Sequence, residues 1–303
     1  MNFNRYIPYR QPAIPDPMGK TRRRRRETVI FMTTVFCLVT AVLAPAYVLC
    51  PEMIIEKMVA ALGPSSGYVV TQRISLDDVA CDAPGDQATR IEETAWFKPP
   101  GKFRSEITVN NIKRAYVSDA DGALTLIDRR ILSLDKNPLM AYKDLLVFRD
   151  RDSLTGRLTR LGLDMSLVSL GRFDGTVAFV IGAKYPDASV SQLWVDKETF
   201  LPQRLLIKTE AGSRPLEIRY GDWRKTMRFY HPRRIEIYQD GRIQRLLCAR
   251  DVRPGGDLPG SLFDVAALRA KYPMIGAEAA TDQTDEKNAD VQRTIDDFRQ
   301  LYQ

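Results

Sequence analysis

The stretch KFRSEITV, residues Lys102–Val109, alternates apolar and polar side chains along its length. Phe103, Ile107 and Val109 fall on one face of an extended chain, and charged or polar side chains fall on the other. A period of two residues is typical of a β-strand with one face buried and the other in water. The stretch therefore predicts one strand of a half-exposed antiparallel sheet.

Similar patterns recur on both sides of this stretch, separated by short turns such as Asp119–Gly122 and Asp240–Gly241. So many strands in series, without strand–helix alternation, predict a mainly β (α+β) fold, built as one strongly curved antiparallel sheet or barrel. The other predicted strands are Tyr68–Leu76, Glu92–Phe97, Ala115–Ser118, Leu124–Ile127, Leu167–Phe173, Thr176–Ile181, Gln192–Val195, Gln203–Lys208, Leu216–Tyr220, Arg234–Tyr238 and Arg242–Ala249.

Helical spacing appears in three places. Glu52–Leu62 follows Pro51, has one apolar face and ends at Gly63, which predicts an amphipathic helix. Pro138–Gly162 returns to helical spacing and predicts a helical insert between strands. The C-terminal extension, residues 253–303, is predicted to be helical or flexible, with little function of its own.

The positive charge of the chain is concentrated at its N-terminus. Of the formal net charge of +7, residues 1–46 carry +6, from eight basic and two acidic side chains. Nucleic-acid binding rests on many phosphate contacts from clustered Lys and Arg, and the nearly neutral remainder offers no such cluster. We therefore expect no nucleic-acid partner.

An uncharged apolar segment, Val29–Cys50, directly follows the basic run Arg22–Arg26. This order is typical of an export signal, in which the basic end stays cytoplasmic and the following chain crosses the membrane. Two interpretations stay open: a signal peptide cleaved after Ala46, or an uncleaved anchor in the inner membrane. Both predict that the N-terminal segment contacts the inner membrane and that the folded part lies in the periplasm.

Four cysteines are present, and Cys37 lies within the export signal. The remaining three, Cys50, Cys81 and Cys248, allow one disulfide and one free thiol in an oxidising compartment. A Cys50–Cys248 pair would tie the start of the domain to a late strand. Three unpaired thiols remain the alternative, because a sequence does not give pairing geometry.

Residues typical of catalysis are scarce. The chain holds one histidine, His231, and an imidazole needs partners to act as a base or a metal ligand. The sequence has no Cys/His cluster with metal-ligand spacing, no glycine-rich phosphate loop and no nucleophile elbow. The acidic pairs Glu92-Glu93 and Asp77-Asp78 are interpreted as solvated charges. We expect no enzyme, no cofactor and no metal, although a carboxylate pair assembled in space stays open.

Three segments resemble the LolA-like family of outer-membrane lipoprotein-sorting proteins, whose superfamily includes LolB-type and RseB-type proteins. Thr94–Glu106 (TAWFKPPGKFRSE) is similar to the early hairpin of the carriers, and Leu193–Arg204 (LWVDKETFLPQR) to a later one. The segment from Glu217 to Gly241 is similar to their last strands. The resemblance spans Pro51–Val252, and it rests on the order and spacing of the three segments.

The resemblance implies an incomplete antiparallel β-barrel, residues 51–252, with helices covering an apolar cavity and the insert near 138–162 supplying part of the cover. Residues expected to line the cavity are Trp96, Phe103, Ile107, Phe179, Ile181, Leu193, Leu205, Ile218 and Ile237. Residues expected in the lid are Ile55, Val59, Leu145 and Leu146.

The resemblance further implies a periplasmic carrier that binds lipoprotein acyl chains or phospholipid, in cooperation with an inner-membrane transporter. The alternative is a membrane-anchored sensor or regulatory module of RseB-like fold. The carriers have a basic residue before the turn proline that helps to latch the lid. Here Lys98 is the nearest match and Pro99 takes the adjacent position, which places lipoprotein transfer by the same latch in doubt.

Overall fold

The computed structural model describes residues 49–75, 81, 90–120, 122–184, 187, 189–208, 215–226 and 228–275. The chain divides into two units, Met1–Val48 and Leu49–Gln303, and every described residue belongs to the second. The predicted export signal thus lies outside the described residues, apart from its last two positions. Among the described residues, no helix has the length and apolar character that a membrane crossing requires.

Thirteen antiparallel strands form one sheet in the order β6-β5-β4-β3-β2-β1-β13-β12-β11-β10-β9-β8-β7. The edge strands β6 and β7 follow each other in the chain, and the helical insert joins them. The strands are β1 Tyr68–Ser75, β2 Arg90–Lys98, β3 Lys102–Val109, β4 Ile112–Ser118, β5 Ala123–Ile127, β6 Arg130–Ser133, β7 Val168–Phe173, β8 Thr176–Ile181, β9 Gln192–Asp196, β10 Pro202–Ile207, β11 Leu216–Thr226, β12 Phe229–Gln239 and β13 Arg242–Pro254.

Within the described residues, four α-helices accompany the sheet. Three of them, α1, α2 and α3, lie at its concave side. Helices α2 and α3 belong to the insert and follow a 3-10 helix at Pro138–Lys143. The fourth, α4, follows a second 3-10 helix at Gly260–Leu262. The α-helices are α1 Pro51–Leu62, α2 Asp144–Val147, α3 Arg151–Arg160 and α4 Val265–Lys271.

The sheet curls without closing. Tyr116 on β4 and Leu216 on β11 line the same cavity, although six strand spacings separate their strands. In a flat sheet six spacings correspond to about 29 Å. The predicted mainly β fold, an incomplete antiparallel barrel with helices over its concave face, is confirmed.

Most of the apolar residues pack in one cluster between the concave face and the helices. In β1, Tyr68, Val70 and Ile74 are buried while the residues between them are partly exposed, apart from the inward Gln72. Helix α1 buries Ile54, Ile55, Met58 and Leu62 against the same cluster. The alternation seen in the sequence therefore sets which side chains face inward.

The C-terminal segment 255–275 crosses the convex face. The ammonium group of Lys98 donates to the carbonyl of Leu258, and Arg104 Nη1 donates to Leu262 O at 3.0 Å. Val265 N donates to Asp119 Oδ2 at 3.0 Å. Val265 also packs in a small outer cluster built from β4, β5 and β6. The start of the predicted C-terminal extension is thus a docked strap, and positions 276–303 lie outside the described residues.

The strap ends beside the edge strand β6. Ile131 N donates to Pro273 O at 2.8 Å, and Ile275 N donates to Ile131 O at 2.9 Å, in parallel pairing. An edge strand otherwise presents unpaired backbone groups that can pair with another chain. The strap covers that part of the edge.

The disulfide joins Cys81 to Cys248, with their Cα atoms 5.6 Å apart, and Cys50 is a free, exposed thiol. The predicted Cys50–Cys248 pair is therefore wrong. The physical reason is strand pairing: β1 hydrogen-bonds directly to β13, with Arg73 opposite Cys248, and Cys81 follows β1 closely in the sequence. Cys50 instead precedes helix α1.

Candidate ligand-binding interior

The concave face is lined by large apolar side chains from strands on both halves of the sheet. They belong to the main cluster and have exposed fractions of 4% or less. Whether they contact a ligand stays a prediction. The predicted lining residues in this position are Phe103, Ile107, Phe179, Ile181, Leu193, Leu205, Ile218 and Ile237.

Trp96 is the exception. Its neighbours Ala95 and Phe97 are fully buried on the concave side, and Trp96 is only partly buried. Because successive side chains of a strand point to opposite faces, Trp96 lies on the convex side. Its prediction as a lining residue is wrong: the alternation within β2 places Phe97 inward instead.

The helices plug the concave side. Ile55, Leu145 and Leu146 are fully buried in the main cluster, and Val59 is partly buried against it. These are the residues predicted for the lid. Their side chains fill the interior in this conformation, so an apolar ligand would have to displace them. Their movement as a lid stays a prediction.

The insert is attached to the sheet by few polar contacts. The hydroxyl of Tyr220 donates to the carbonyl of Tyr142 at 2.9 Å, and Gly101 N donates to Val147 O at 3.2 Å. The ring of Tyr142 also meets Phe103 edge-on, with centroids 6.0 Å apart. Apolar packing therefore supplies most of the attachment between the insert and the sheet. Such packing is non-directional.

The insert is braced internally by the carboxylate of Asp144, which is almost fully buried. Lys143 Nζ donates to Oδ1 at 2.9 Å, and Arg157 donates to Oδ2 from Nε at 2.7 Å. Breaking one partner of a buried ion pair leaves an uncompensated charge, which is strongly destabilising. The brace ties α2 to α3, so we expect the insert to move as a unit.

A polar row crosses the concave face beneath Tyr142. Gln72 Nε2 donates to Glu93 Oε2 at 2.5 Å, and both side chains are 1% exposed, as is Arg245. Burial raises the pKa of the Glu93 carboxyl, against the hydrogen bond from Gln72 and the charge of Arg245. The interpretation of Glu93 as a solvated charge is wrong. The lining is therefore not uniformly apolar.

A cavity of about 730 Å³ opens between the insert and the rim of the sheet. None of the thirteen residues predicted from the sequence lines it. Charged side chains from the insert and its flanks meet apolar ones from β10, β11 and the insert, which suits an amphiphilic molecule. The lining includes Lys136, Lys143, Asp144, Arg157 and Arg160 on the charged side and Met140, Phe148, Leu161, Ile207 and Leu216 on the apolar side.

The sequence of the insert contains a pattern that is compatible with this cavity but does not predict it. The insert mixes charged and apolar residues at helical spacing, and such a pattern is also typical of an ordinary amphipathic surface helix. In the carriers a basic residue near the turn proline helps to latch the lid, but here Lys98 bonds to the C-terminal strap instead. No group of His, Cys, Asp and Glu in the described part of the chain could hold a metal ion.

No protein-family model and no curated protein matches the sequence. Among solved structures, a LolA superfamily protein from Nitrosomonas europaea is 19% identical with a TM-score of 0.49, and the match covers 71% of this chain and 98% of that one. An outer membrane lipoprotein-sorting protein domain from Vibrio parahaemolyticus is 12% identical with a TM-score of 0.46, covering 72% and 97%. The complex of Pseudomonas aeruginosa MucA and MucB is 11% identical with a TM-score of 0.24, covering 72% and 62%.

These structures resemble this chain in fold. The solved structures that this chain is similar to thus include a LolA superfamily protein and a lipoprotein-sorting domain, the family whose resemblance the sequence indicates. With identities of 11–19% and TM-scores below 0.5, the similarity does not carry a ligand, a partner or a location over to this chain.

Proposed function

We propose that this chain is an exported carrier that binds the acyl chains of lipoproteins or other lipids beneath the helical insert. One observation carries the proposal: an open sheet whose concave face is apolar over most of its width, plugged by apolar side chains of helices. A cover that is held to the sheet mainly by apolar packing can give way to an apolar ligand, because such packing is non-directional.

The energetics fit reversible binding. Burying one methylene is worth about 0.8 kcal/mol, so an acyl chain of a dozen carbons gains on the order of 10 kcal/mol from an apolar lining. Part of that gain is lost because Leu145 and Leu146 must leave the interior to admit the ligand. Because an apolar ligand replaces these apolar side chains, its net affinity is moderate. A carrier requires moderate affinity to release its cargo.

Export and location belong to the same proposal. The basic run followed by Val29–Cys50 supports delivery to the periplasm. The names of two similar structures, a LolA superfamily protein and an outer membrane lipoprotein-sorting domain, agree with this assignment. An inner-membrane transporter would be the source of the cargo. No catalytic step is part of the proposal.

A neutral apolar dye, N-phenyl-1-naphthylamine, tests the interior as a binding site. Leu145→Ala removes part of the plug, so we expect saturable dye binding that is several-fold tighter than in the wild type. Leu124→Ala is the matched control, because Leu124 is equally buried but belongs to the convex cluster. Both variants should lose about 2–5 kcal/mol of unfolding free energy.

The dye experiment has a clear negative result. If Leu145→Ala and Leu124→Ala lower the melting temperature alike and neither they nor the wild type bind dye saturably, the interior is an ordinary core. The carrier proposal is then wrong.

A further inference from the structure

A partly exposed arginine, Arg149, has its terminal nitrogens buried at one end of the interior. Arg149 lies in the connection between α2 and α3, and its Nε donates to Leu146 O at 2.9 Å. Its terminal nitrogens, Nη1 and Nη2, are buried, and within the described part of the chain they have no acidic partner, only the neighbouring Tyr68 hydroxyl. The guanidinium carries a positive charge and offers only donors. A buried, unpaired charge is costly, and proteins rarely keep one.

Two further buried polar groups lie next to Arg149. Among the described residues, neither ring nitrogen of His231 has a hydrogen-bond partner, and the Tyr68 hydroxyl has none apart from the Arg149 side chain. The Tyr68 and His231 side chains are 0% and 1% exposed. Their ring centroids are 5.5 Å apart. Burial raises the pKa of Tyr68, and both the charge of Arg149 and its hydrogen bond to the hydroxyl oppose that rise. Burial lowers the pKa of His231, and the charge of Arg149 lowers it further.

The three groups share one chemical preference. Burial lowers the pKa of His231 to about 3, so the imidazole is neutral and offers one N–H donor. The Tyr68 hydroxyl is also a neutral donor, and Arg149 adds several donors with a fixed positive charge. This set lacks a negatively charged partner. An oxyanion would accept from all three and would neutralise the buried charge.

The oxyanion position adjoins the apolar interior. Tyr68 stacks on Phe97 with centroids 4.7 Å apart, and Phe97 in turn meets Phe103 at 5.0 Å. These aromatic rings belong to the main cluster. A group held at Arg149 would therefore have its attached chain beside the apolar lining.

We propose that Arg149, Tyr68 and His231 bind the acidic head group of a single-chain amphiphile, a carboxylate or a phosphate, whose tail lies in the concave interior. The inference rests on the proposed function and names its ligand class. Among the described residues, Arg149 forms no ion pair, in contrast to Arg157, whose guanidinium is paired with Asp144. Its charge is thus available for a ligand.

Binding measurements on the delipidated, exported chain test the proposal with four probes: dodecyl phosphate, dodecanoate, dodecanol and inorganic phosphate. Arg149→Gln should weaken binding of the acidic amphiphile about tenfold or more, and Tyr68→Phe about threefold, because charged hydrogen bonds are lost. Dodecanol affinity should change less than about twofold in both variants, because it carries no charge. Arg151→Gln is the matched control, since Arg151 is an exposed residue of the same insert, and it should leave all affinities unchanged.

Stability provides a second readout. Removing an uncompensated charge should leave the melting temperature of the ligand-free Arg149→Gln variant unchanged or a few degrees higher. Tyr68→Phe keeps the stacked ring, so it serves if Arg149→Gln fails to fold.

The outcomes separate the two proposals. If dodecanol and both acidic amphiphiles fail to bind, the carrier function itself is wrong. If dodecanol binds as tightly as the acids, or Arg149→Gln leaves acid binding unchanged, the head-group site is wrong and the carrier function stands. If inorganic phosphate binds as tightly as dodecyl phosphate, the ligand is a free anion and the proposal of an amphiphile is wrong. Preference for dodecyl phosphate or for dodecanoate supports the site and identifies its head group.

Discussion

The hydroxyl of Tyr220, on strand β11, donates a hydrogen bond to the main-chain carbonyl of Tyr142 in the insert, at 2.9 Å. Both side chains are buried, with exposed fractions of 4% and 1%. The bond joins the sheet to the segment that plugs its concave face. It is one of the few polar contacts that opening of the insert would have to break.

Tyr220→Phe should loosen the insert without unfolding the sheet. The substitution removes the hydrogen bond to the Tyr142 carbonyl, which costs about 1 kcal/mol and lowers the melting temperature by about 2–4 °C. Hydrogen exchange should become faster in Leu139–Val147 and stay unchanged in the central strands.

Tyr238→Phe is the control. The Tyr238 hydroxyl contacts Glu236 of the same strand, β12, which neighbours β11, and both side chains lie on the convex face. Exchange in the insert should be the same as in the wild type. Equal protection of Leu139–Val147 in both variants would show that the Tyr220 bond does not hold the insert.

His231 should make the protein less stable in mild acid. Its folded pKa is lowered to about 3 by burial and by the charge of Arg149, against an ordinary value of 6.5. The unfolded chain therefore takes up a proton first, and stability present above pH 6.5 is lost as the pH falls towards 3. From pH 7 to pH 5 the loss is about 2 kcal/mol.

Thermal unfolding between pH 7 and pH 5 measures this effect. The chain has no other histidine, so His231→Gln should remove most of the slope in that range. A wild-type melting temperature that stays constant from pH 7 to pH 5 would contradict a buried, neutral His231.

The disulfide gives a chemical prediction. Peptide mapping without reduction should recover Cys81 joined to Cys248 and Cys50 as an alkylated thiol. Cys81→Ser should cost about 2–5 kcal/mol, because the bond closes a long loop in the unfolded chain. Cys50→Ser should leave stability unchanged. Recovery of a Cys50–Cys248 peptide would contradict the Cys81–Cys248 bond.

Gly171 is required by the packing of Trp194 on the convex face. A Cβ atom at Gly171 would lie 2.4 Å from the Trp194 ring and 3.1 Å from Val180. Gly171→Ala should therefore cost about 1–3 kcal/mol, measured by denaturant unfolding. At Gly221 a Cβ would meet nothing within 4 Å, so Gly221→Ala is the control. Equal stability of the two variants would contradict the described position of Trp194.

The elements that could be predicted are those with local signals. Alternation in Lys102–Val109 predicted β3 with its correct bounds, and Glu52–Leu62 predicted α1 to within one residue. Helical spacing at Pro138–Gly162 predicted the insert, which the structure resolves into a 3-10 helix and two short α-helices. These patterns depend on the burial of neighbouring residues along one element, and the sequence shows that directly.

The features that could not be predicted depend on distant contacts. The face of Trp96 depends on which of two adjacent aromatic residues points inward, since both Trp96 and Phe97 are apolar. The Cys81–Cys248 bond depends on the pairing of β1 with β13. The two cysteines are 167 residues apart in the sequence. Tyr68, Arg149 and His231 lie on β1, between α2 and α3, and on β12. They are far apart in the sequence, so no local pattern predicts that they meet.

The most direct test of the account is native mass spectrometry, with lipid extraction, on the chain expressed with its own N-terminal segment and purified from a periplasmic fraction. The carrier proposal predicts a protein that starts at Tyr47 and carries an acyl species in its interior. An empty protein that still retains Val29–Cys50 would contradict it and would favour a membrane-anchored module.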